Sequence, residues 1–557
     1  FTSTSTKLEA DAKIVKFNFG QYNLGNIKAN ARIDKGVAHP DIDSDNRLVR
    51  GIISFDALIN PKKLQATVFA DLHHADLKGL DIVKRPMSVA LCGHVDLLSD
   101  MKKLYSIQGT VGDLTVRDSL KVFRPDEIKM NVFTSADTTR AYVDCGDFHL
   151  KMNAGGGYEA LINKSNKFAD GLMTQLKNKH IEHKALRRML PSAKINLTTG
   201  KENPFSRMLA YFGLTFKDAV IDMTSCPYSG LNGKMQITEL RTDSMLLDTM
   251  RFAVESDSAR CNYKCQIRNG KNNPQYVFNA LLDGYIHEKA AGLNIKYYDA
   301  ENRLGVKLGA KATLETDGIR LHMLTDNTVL GYKTFDVNED NYIFMGRDRR
   351  ISAKLNLIAE DKTGVQIYTD DENAEALQDI TVSLNRFDLD KIMSVIPYMP
   401  HVTGMMNGDF HMIQTTSQLS VSSTLSVDGM TYEGCPMGDI ATEFVYMPKE
   451  DGSHYVDGML MNNGKEVGSI VGTYSSEGNG SLDAKMEMKR LSLSLANGFI
   501  PDRIIGFKGY ADGSVEIKGA LDKPQVNGEI FLRKCSLWCG AAFQQRSGTY
   551  SRKPPAA

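Results

Sequence analysis

Apolar residues recur at every second position over much of this chain. Leu8, Ala10, Ala12 and Ile14 alternate with mostly charged residues, and the phase then slips so that Val15, Phe17 and Phe19 continue it, as a bulge allows. The same period returns at Ile27, Ala29, Ala31 and Ile33, at Leu64, Ala66, Val68, Ala70 and Leu72, at Phe148, Leu150, Met152 and Ala154, and late in the chain at Val515 and Ile517. A period of two puts one set of side chains on one side of a pleated strand, so each segment predicts a strand with one wet face. Dipeptides that tolerate positive φ fall between them: Asn232-Gly233, Asn269-Gly270, Asp283-Gly284, Asp317-Gly318, Asn407-Gly408, Asp428-Gly429, Asp451-Gly452, Asn463-Gly464, Asp512-Gly513 and Asn527-Gly528. Strand and turn alternating over hundreds of residues, with few helices to cover a parallel sheet, predict a mainly all-β chain built as a long, meandering antiparallel sheet.

Few stretches carry the helical period. One runs from Tyr158 to Met189, with Leu161, Phe168, Leu172 and Leu176 on one stripe before Pro191 ends it. Its other face holds Lys164, Lys167, Lys177, Lys179, Lys184, Arg187 and Arg188 against Glu159, Asp170 and Glu182. That pattern fits a basic helix lying on an anionic membrane, and fits better a helix that packs its stripe on the sheet and wets the rest. Shorter helices are predicted at Pro204 to Tyr211 and Leu389 to Ile396.

Near the end the chain echoes itself. Ile396-Pro397, Gly404, Gly408, Phe410 and Met412 are matched about a hundred residues on by Ile500-Pro501, Gly509, Gly513, Val515 and Ile517, which predicts a structural repeat. From Trp538, the single tryptophan, the alternation stops and the chain finishes Arg-Lys-Pro-Pro-Ala-Ala. Residues 538–557 are therefore expected to be a non-native or disordered tail.

At 557 residues the chain exceeds one ordinary core. Roughly four domains of about 150 residues, or one repetitive body, would account for it. Lys plus Arg and Asp plus Glu both total 67, so no net field draws it to nucleic acid or an anionic surface. The start at Phe1 and the absence of 18 consecutive apolar residues lead us to expect a fragment whose N-terminal part has been removed. The eight cysteines lie mostly far apart, and Cys261/Cys265 and Cys535/Cys539 lack the second pair that a zinc ribbon needs. No Gly-x-Ser-x-Gly elbow, Walker A loop or His-Glu-x-x-His helix occurs, and Gly464-Lys465 followed by Glu466 reads as a turn. His180 with His183, His73 with His74, and the acids Asp336, Glu339 and Asp340 are read as solvated groups rather than metal or catalytic sites. No catalytic residue, cofactor or metal is expected.

The chain resembles the TamB family of AsmA-like Gram-negative envelope proteins. The resemblance is carried by Phe387-Asp388-Leu389-Asp390-Lys391-Ile392, by Ile396-Pro397-Tyr398-Met399-Pro400 through Gly404 to Phe410, and by Asn497-Gly498-Phe499-Ile500-Pro501-Asp502. Gly509-Tyr510-Ala511-Asp512-Gly513 with its alternating strand to Gly519, then Pro524 to Gly528 and Ile530, is similar to the family's repeated signature. It covers about Leu377 to Phe531, with a weaker likeness of style over Asn203 to Gln366.

What the resemblance implies is an elongated antiparallel sheet curled into an apolar groove, with a few short amphipathic helices. It divides the chain into β-sheet at 1–156, a helical insertion at 157–200, β-sheet at 201–376, a repeat segment at 377–537 and the tail. Phe410, Met412, Val515 and Ile517 become candidate groove-lining residues, or residues that simply pack on one another. The resemblance further implies a periplasmic location with inner-membrane anchoring through an N-terminal segment missing here. It implies phospholipid acyl chains as cargo, an outer-membrane assembly-factor barrel as partner, and a role in lipid transport and outer-membrane integrity. An alternative is a translocation and assembly scaffold that pairs strand edges with outer-membrane or secreted proteins.

Overall fold

The structure, a computed structural model, describes residues 7–15, 18–19, 22–23, 26–34, 37–60, 63–84, 86–118, 122–177, 182–257, 259–348, 350–370, 376–416, 418–449, 451–476, 480–500 and 505–539. It is mainly β, with 34 strands in one antiparallel sheet and a few short helices. The chain divides into two units, 1–267 with 286–288, and 268–285 with 289–557.

In the first unit the alternation seen in sequence becomes pairing. Leu8, Ala10, Ala12 and Ile14 lie opposite Ile33, Ala31, Ala29 and Ile27, so two predicted strands share one face. From there most strands pair with the next in sequence, down to Gly230–Arg241 against Leu246–Ser256. The 158–189 segment forms two helices, α1 (Tyr158–Lys177) and α2 (His183–Met189). They are inserted between Phe148–Gly155 and Ala193–Thr199, which still pair. Leu161, Phe168 and Leu172 are half-buried, Leu186 and Leu190 are buried, and Arg187 Nε donates to Pro227 O at 3.0 Å. Lys179 and His180 lie outside the described residues.

In the second unit the meander breaks once. Leu304–Leu314 pairs with both Gly318–Met323 and Thr328–Leu330, and Ile351–Ile358 pairs with both Lys333–Val337 and Tyr342–Gly346. Asn341, 3% exposed, stitches the split: its Oδ1 accepts from Met323 N at 2.7 Å and its Nδ2 donates to Met323 O at 2.9 Å. The amide thus supplies the pairing a strand would have given.

The internal repeat has a geometric basis. Arg386 and Arg490 both sit at φ 53 in bulges, where their N–H groups donate to Asn407 Oδ1 and Asp512 Oδ1, each at 2.8 Å. A short helical segment follows each bulge, α3 being Pro204–Tyr211 earlier in the chain: α4 (Leu389–Ser394) in one copy, the 3₁₀ turn Leu493–Phe499 in the other. Gly404 (φ 131) and Gly509 (φ 117) then mark a second bulge, and Gly408 and Gly513 lie four residues on. A Cβ at either of the last two would press on a neighbouring strand's carbonyl, that of Thr424 or Glu529. Pro501 and Asp502 lie outside the described residues.

Only some of the Asx-Gly dipeptides turn the chain. Asn463-Gly464, at φ 50 and 73, closes a two-residue hairpin between Asn462 and Lys465. Asp317-Gly318 and Asp451-Gly452 also lie at hairpins, and Asp428-Gly429 forms a bulge. Asn232-Gly233, Asp283-Gly284, Asn407-Gly408, Asp512-Gly513 and Asn527-Gly528 run inside strands, and at Gly233, Gly408, Gly513 and Gly528 the glycine answers to close approach between backbones. Trp538 and Cys539 complete the strand Gln525–Cys539, and 540–557 lie outside the described residues.

Two predictions follow from this geometry. Gly513→Ala, with φ 143 and no room for a Cβ, should lower unfolding stability by at least about 2 kcal/mol, against about 1 for Gly429→Ala, whose Cβ meets nothing. Urea midpoints of the two variants measure this. At the hairpin tips, backbone N–H groups of Leu104, Lys102 and Lys103 lower the Asp100 pKa, and those of Arg260 and Ala259 lower that of Asp257. Carboxylates depressed in the folded state add stability above their unfolded value of about 3.9 and lose it as pH falls through the folded value. Amide exchange at these tips, corrected for intrinsic rates, should therefore hold from pH 8 to about 5 and rise only below about 4.

Candidate functional site

Following the register across the first unit shows what the alternation builds. Phe55 lies beside Val68, Val68 beside Val95, and the row continues through Gly109, Met130 and Val143. It goes on through Leu150, Leu197, Ile221, Met235 and Phe252 without a polar residue. The opposite face carries His94, Lys129, Asp144, His149 and Arg251 in the row next to it. Every side chain of the apolar row is half-buried and none is fully buried. This row is therefore continuous and apolar without the full occlusion of an ordinary core.

The second unit repeats the arrangement, and it brings the four sequence candidates together. Leu355 lies beside Ile367, then Val382, Phe410, Ser423 and Phe444. The same row runs on through Gly458, Ile470, Met486 and Val515. One row over, Ile380, Met412, Val421, Tyr446 and Val456 lead through Gly472 and Ala484 to Ile517. Phe410, Met412, Val515 and Ile517, from two copies of the repeat, thus occupy two adjacent rows of one face. All four are half-buried, while Ile470 and Met486 on the same row are 38% and 37% exposed. Facing the other way are Asp409, Thr424, Glu443, Glu487 and Ser514.

The apolar face carries a cavity of about 210 Å³ beside the split in the meander, lined by Leu293, Ile295, Leu308, Leu321, Ile343 and Leu355 with a few others. An apolar void of that order takes hydrocarbon in preference to water. Leu355 places it three strand spacings from Phe410 along the shared row, about 14 Å. Ile380, Ser423 and Ala484 are buried within these rows, and burial is clustered at one end of the face, where Phe335, Val337, Leu357, Ala359 and Phe387 form a core cluster. Beside it, Leu389 of α4 packs with Val402 and Val427.

Of the polar groups singled out in the sequence, His180 lies outside the described residues. Asp340 bonds Lys354 and Asn338, and the Lys354 ammonium holds its carboxyl below the usual range. Among the described residues no group of three His, Cys, Asp or Glu could hold a metal, and no cysteine is in a disulfide. Sequence reasoning missed the cavity lining and Ser423. The alternation at Leu293 and Ile295 was readable, but nothing in it marks where a sheet will split.

No family model matches the chain, and neither a curated protein nor a solved structure is significantly similar to it. The large antiparallel sheet is consistent with a β-groove family and goes no further than that.

The difference between lining and core is measurable. Phe387, 4% exposed and stacked on Phe335 at 6.3 Å, should cost about 3–5 kcal/mol when replaced by alanine. Half-buried Phe410 should cost only about 1–2. Denaturation midpoints of Phe387→Ala and Phe410→Ala test the assignment.

Proposed function

We propose that this chain is a non-catalytic lipid-conduit segment of a TamB-like periplasmic protein, supporting phospholipid transport to the outer membrane. The observation that carries the reading is the set of apolar rows that cross strand after strand and stay mostly half-buried. Drawing two acyl chains of about thirty methylenes through water costs on the order of 24 kcal/mol at roughly 0.8 per methylene. A continuous apolar face removes that barrier by continuity alone, with no residue performing chemistry. Glycines such as Gly458 and Gly472 fit this role, since they keep the rows apolar while leaving width beside Phe444 and Val456.

In this reading the full-length protein is anchored in the inner membrane and works with an outer-membrane assembly-factor barrel. Phe410, Met412, Val515 and Ile517 contact acyl chains. The test is mass spectrometry of lipids that copurify with the chain after mild extraction. Phospholipid is expected with the parent and should fall at least about tenfold with Val515→Asp, because a carboxylate on the apolar face must be desolvated under a passing chain. A folded parent free of lipid would overturn the conduit and favour the assembly scaffold.

A further inference from the structure

The apolar face of the second unit holds a buried hydroxyl without a partner. Ser423 is 3% exposed and its Oγ has no hydrogen-bond partner within the described residues. It lies between Phe410 and Phe444, whose rings meet edge to face at 6.5 Å across its strand. A buried hydroxyl left unpaired costs about 1–3 kcal/mol, and an alanine there would avoid it.

The next residues toward one rim are also unusual for an apolar face. Tyr446 neighbours Val421, two positions from Ser423 and about 7 Å along the strand. Its ring stacks on His454 at 5.8 Å, and Tyr446 Oη lies 2.8 Å from His454 Nδ1. His454 stacks in turn on Tyr474 at 5.7 Å. All three belong to the apolar face by register, at the ends of their strands opposite the rim that bears α4 and the 3₁₀ turn. Aromatic rings with polar tips suit the level where an amphiphile passes from chain to headgroup.

We propose that Ser423 and the Tyr446–His454–Tyr474 rim form a seat for an ester-linked lipid. With the Phe410 and Phe444 rings that cover it swung aside, the Ser423 hydroxyl donates to an acyl-ester carbonyl, the polar end lies toward His454 and Tyr474, and the chain runs inward past the two rings. This rests on the conduit reading and adds to it a fixed orientation and a preference for esters over ethers.

The test offers the full chain vesicles of a diacyl phosphatidylcholine or of its dialkyl ether analogue, with the same chains and headgroup, and measures retained lipid by mass spectrometry. The parent should retain the diester about fivefold better, the factor expected of one net hydrogen bond of about 1 kcal/mol. Ser423→Ala should abolish the preference while still retaining both lipids, and Ser423→Cys, a similar volume with a weak donor, should do the same. Equal retention by the parent, or a preference that survives in both variants, overturns the seat and leaves the conduit standing. Retention of neither lipid by folded parent overturns both.

Discussion

Cross-strand register is the constraint on which this molecule depends. Each strand turns its side chains alternately to two faces, so a slip of one residue in any hairpin would carry all of that strand's apolar residues to the polar face. Thirty-odd strands multiply the demand, since a row such as Phe55 to Phe252 stays apolar only if every intervening pairing is held. Hairpins such as Asn462–Lys465 fix register at the strand ends. Bulges correct it within strands, at Gly404 and Gly509 and at the residues Arg386 and Arg490, whose amides are held by Asn407 and Asp512.

That device also explains the repeat. A bulge turns the strand locally, and the helical segment that follows is set at one rim. In the first copy it reaches back over sequence: Tyr297 Oη donates to Ser394 O at 3.4 Å, Asn269 Nδ2 donates to Tyr398 Oη at 3.0 Å, and Val395 closes on Gly305. In the second copy Phe499 stacks on Tyr432 at 4.8 Å. These contacts add buried residues along one rim of the second unit, whereas most of the two apolar rows stays half-buried. Stability therefore rests on backbone ladders and on core clusters beside the helical segments, and the face between is free of the packing demands of a closed core.

The division of labour between the faces gives the proposed function its physical sense. Rows such as Asp409 to Ser514 keep one side wet, while the other offers hydrocarbon a path on which no step requires a chemical group. The departures from uniformity are then informative: a cavity at the split beside Asn341, and a lone hydroxyl under Phe410 and Phe444. Under the proposed function, each is a place where an amphiphile would be held rather than merely passed along.

The sequence by itself determined the strands and their faces. Period-two alternation is a local property, and Leu64 to Leu72 or Phe148 to Ala154 carry it without reference to any partner. It also disclosed Pro204–Tyr211 as a helix, which the structure shows capped by Asn203 accepting from Ser206 N, and it placed Phe410, Met412, Val515 and Ile517 on alternating positions of the same kind. Only the tertiary structure decided that those four residues share two adjacent rows, because that follows from the register of six intervening pairings and not from any residue's own neighbours. It decided too which Asx-Gly pairs turn and which lie in strands, since glycine serves positive φ and close backbone approach alike. Ser423 reads in sequence as one more serine on a serine-rich strand; it becomes exceptional only when two phenylalanines from other strands close over it.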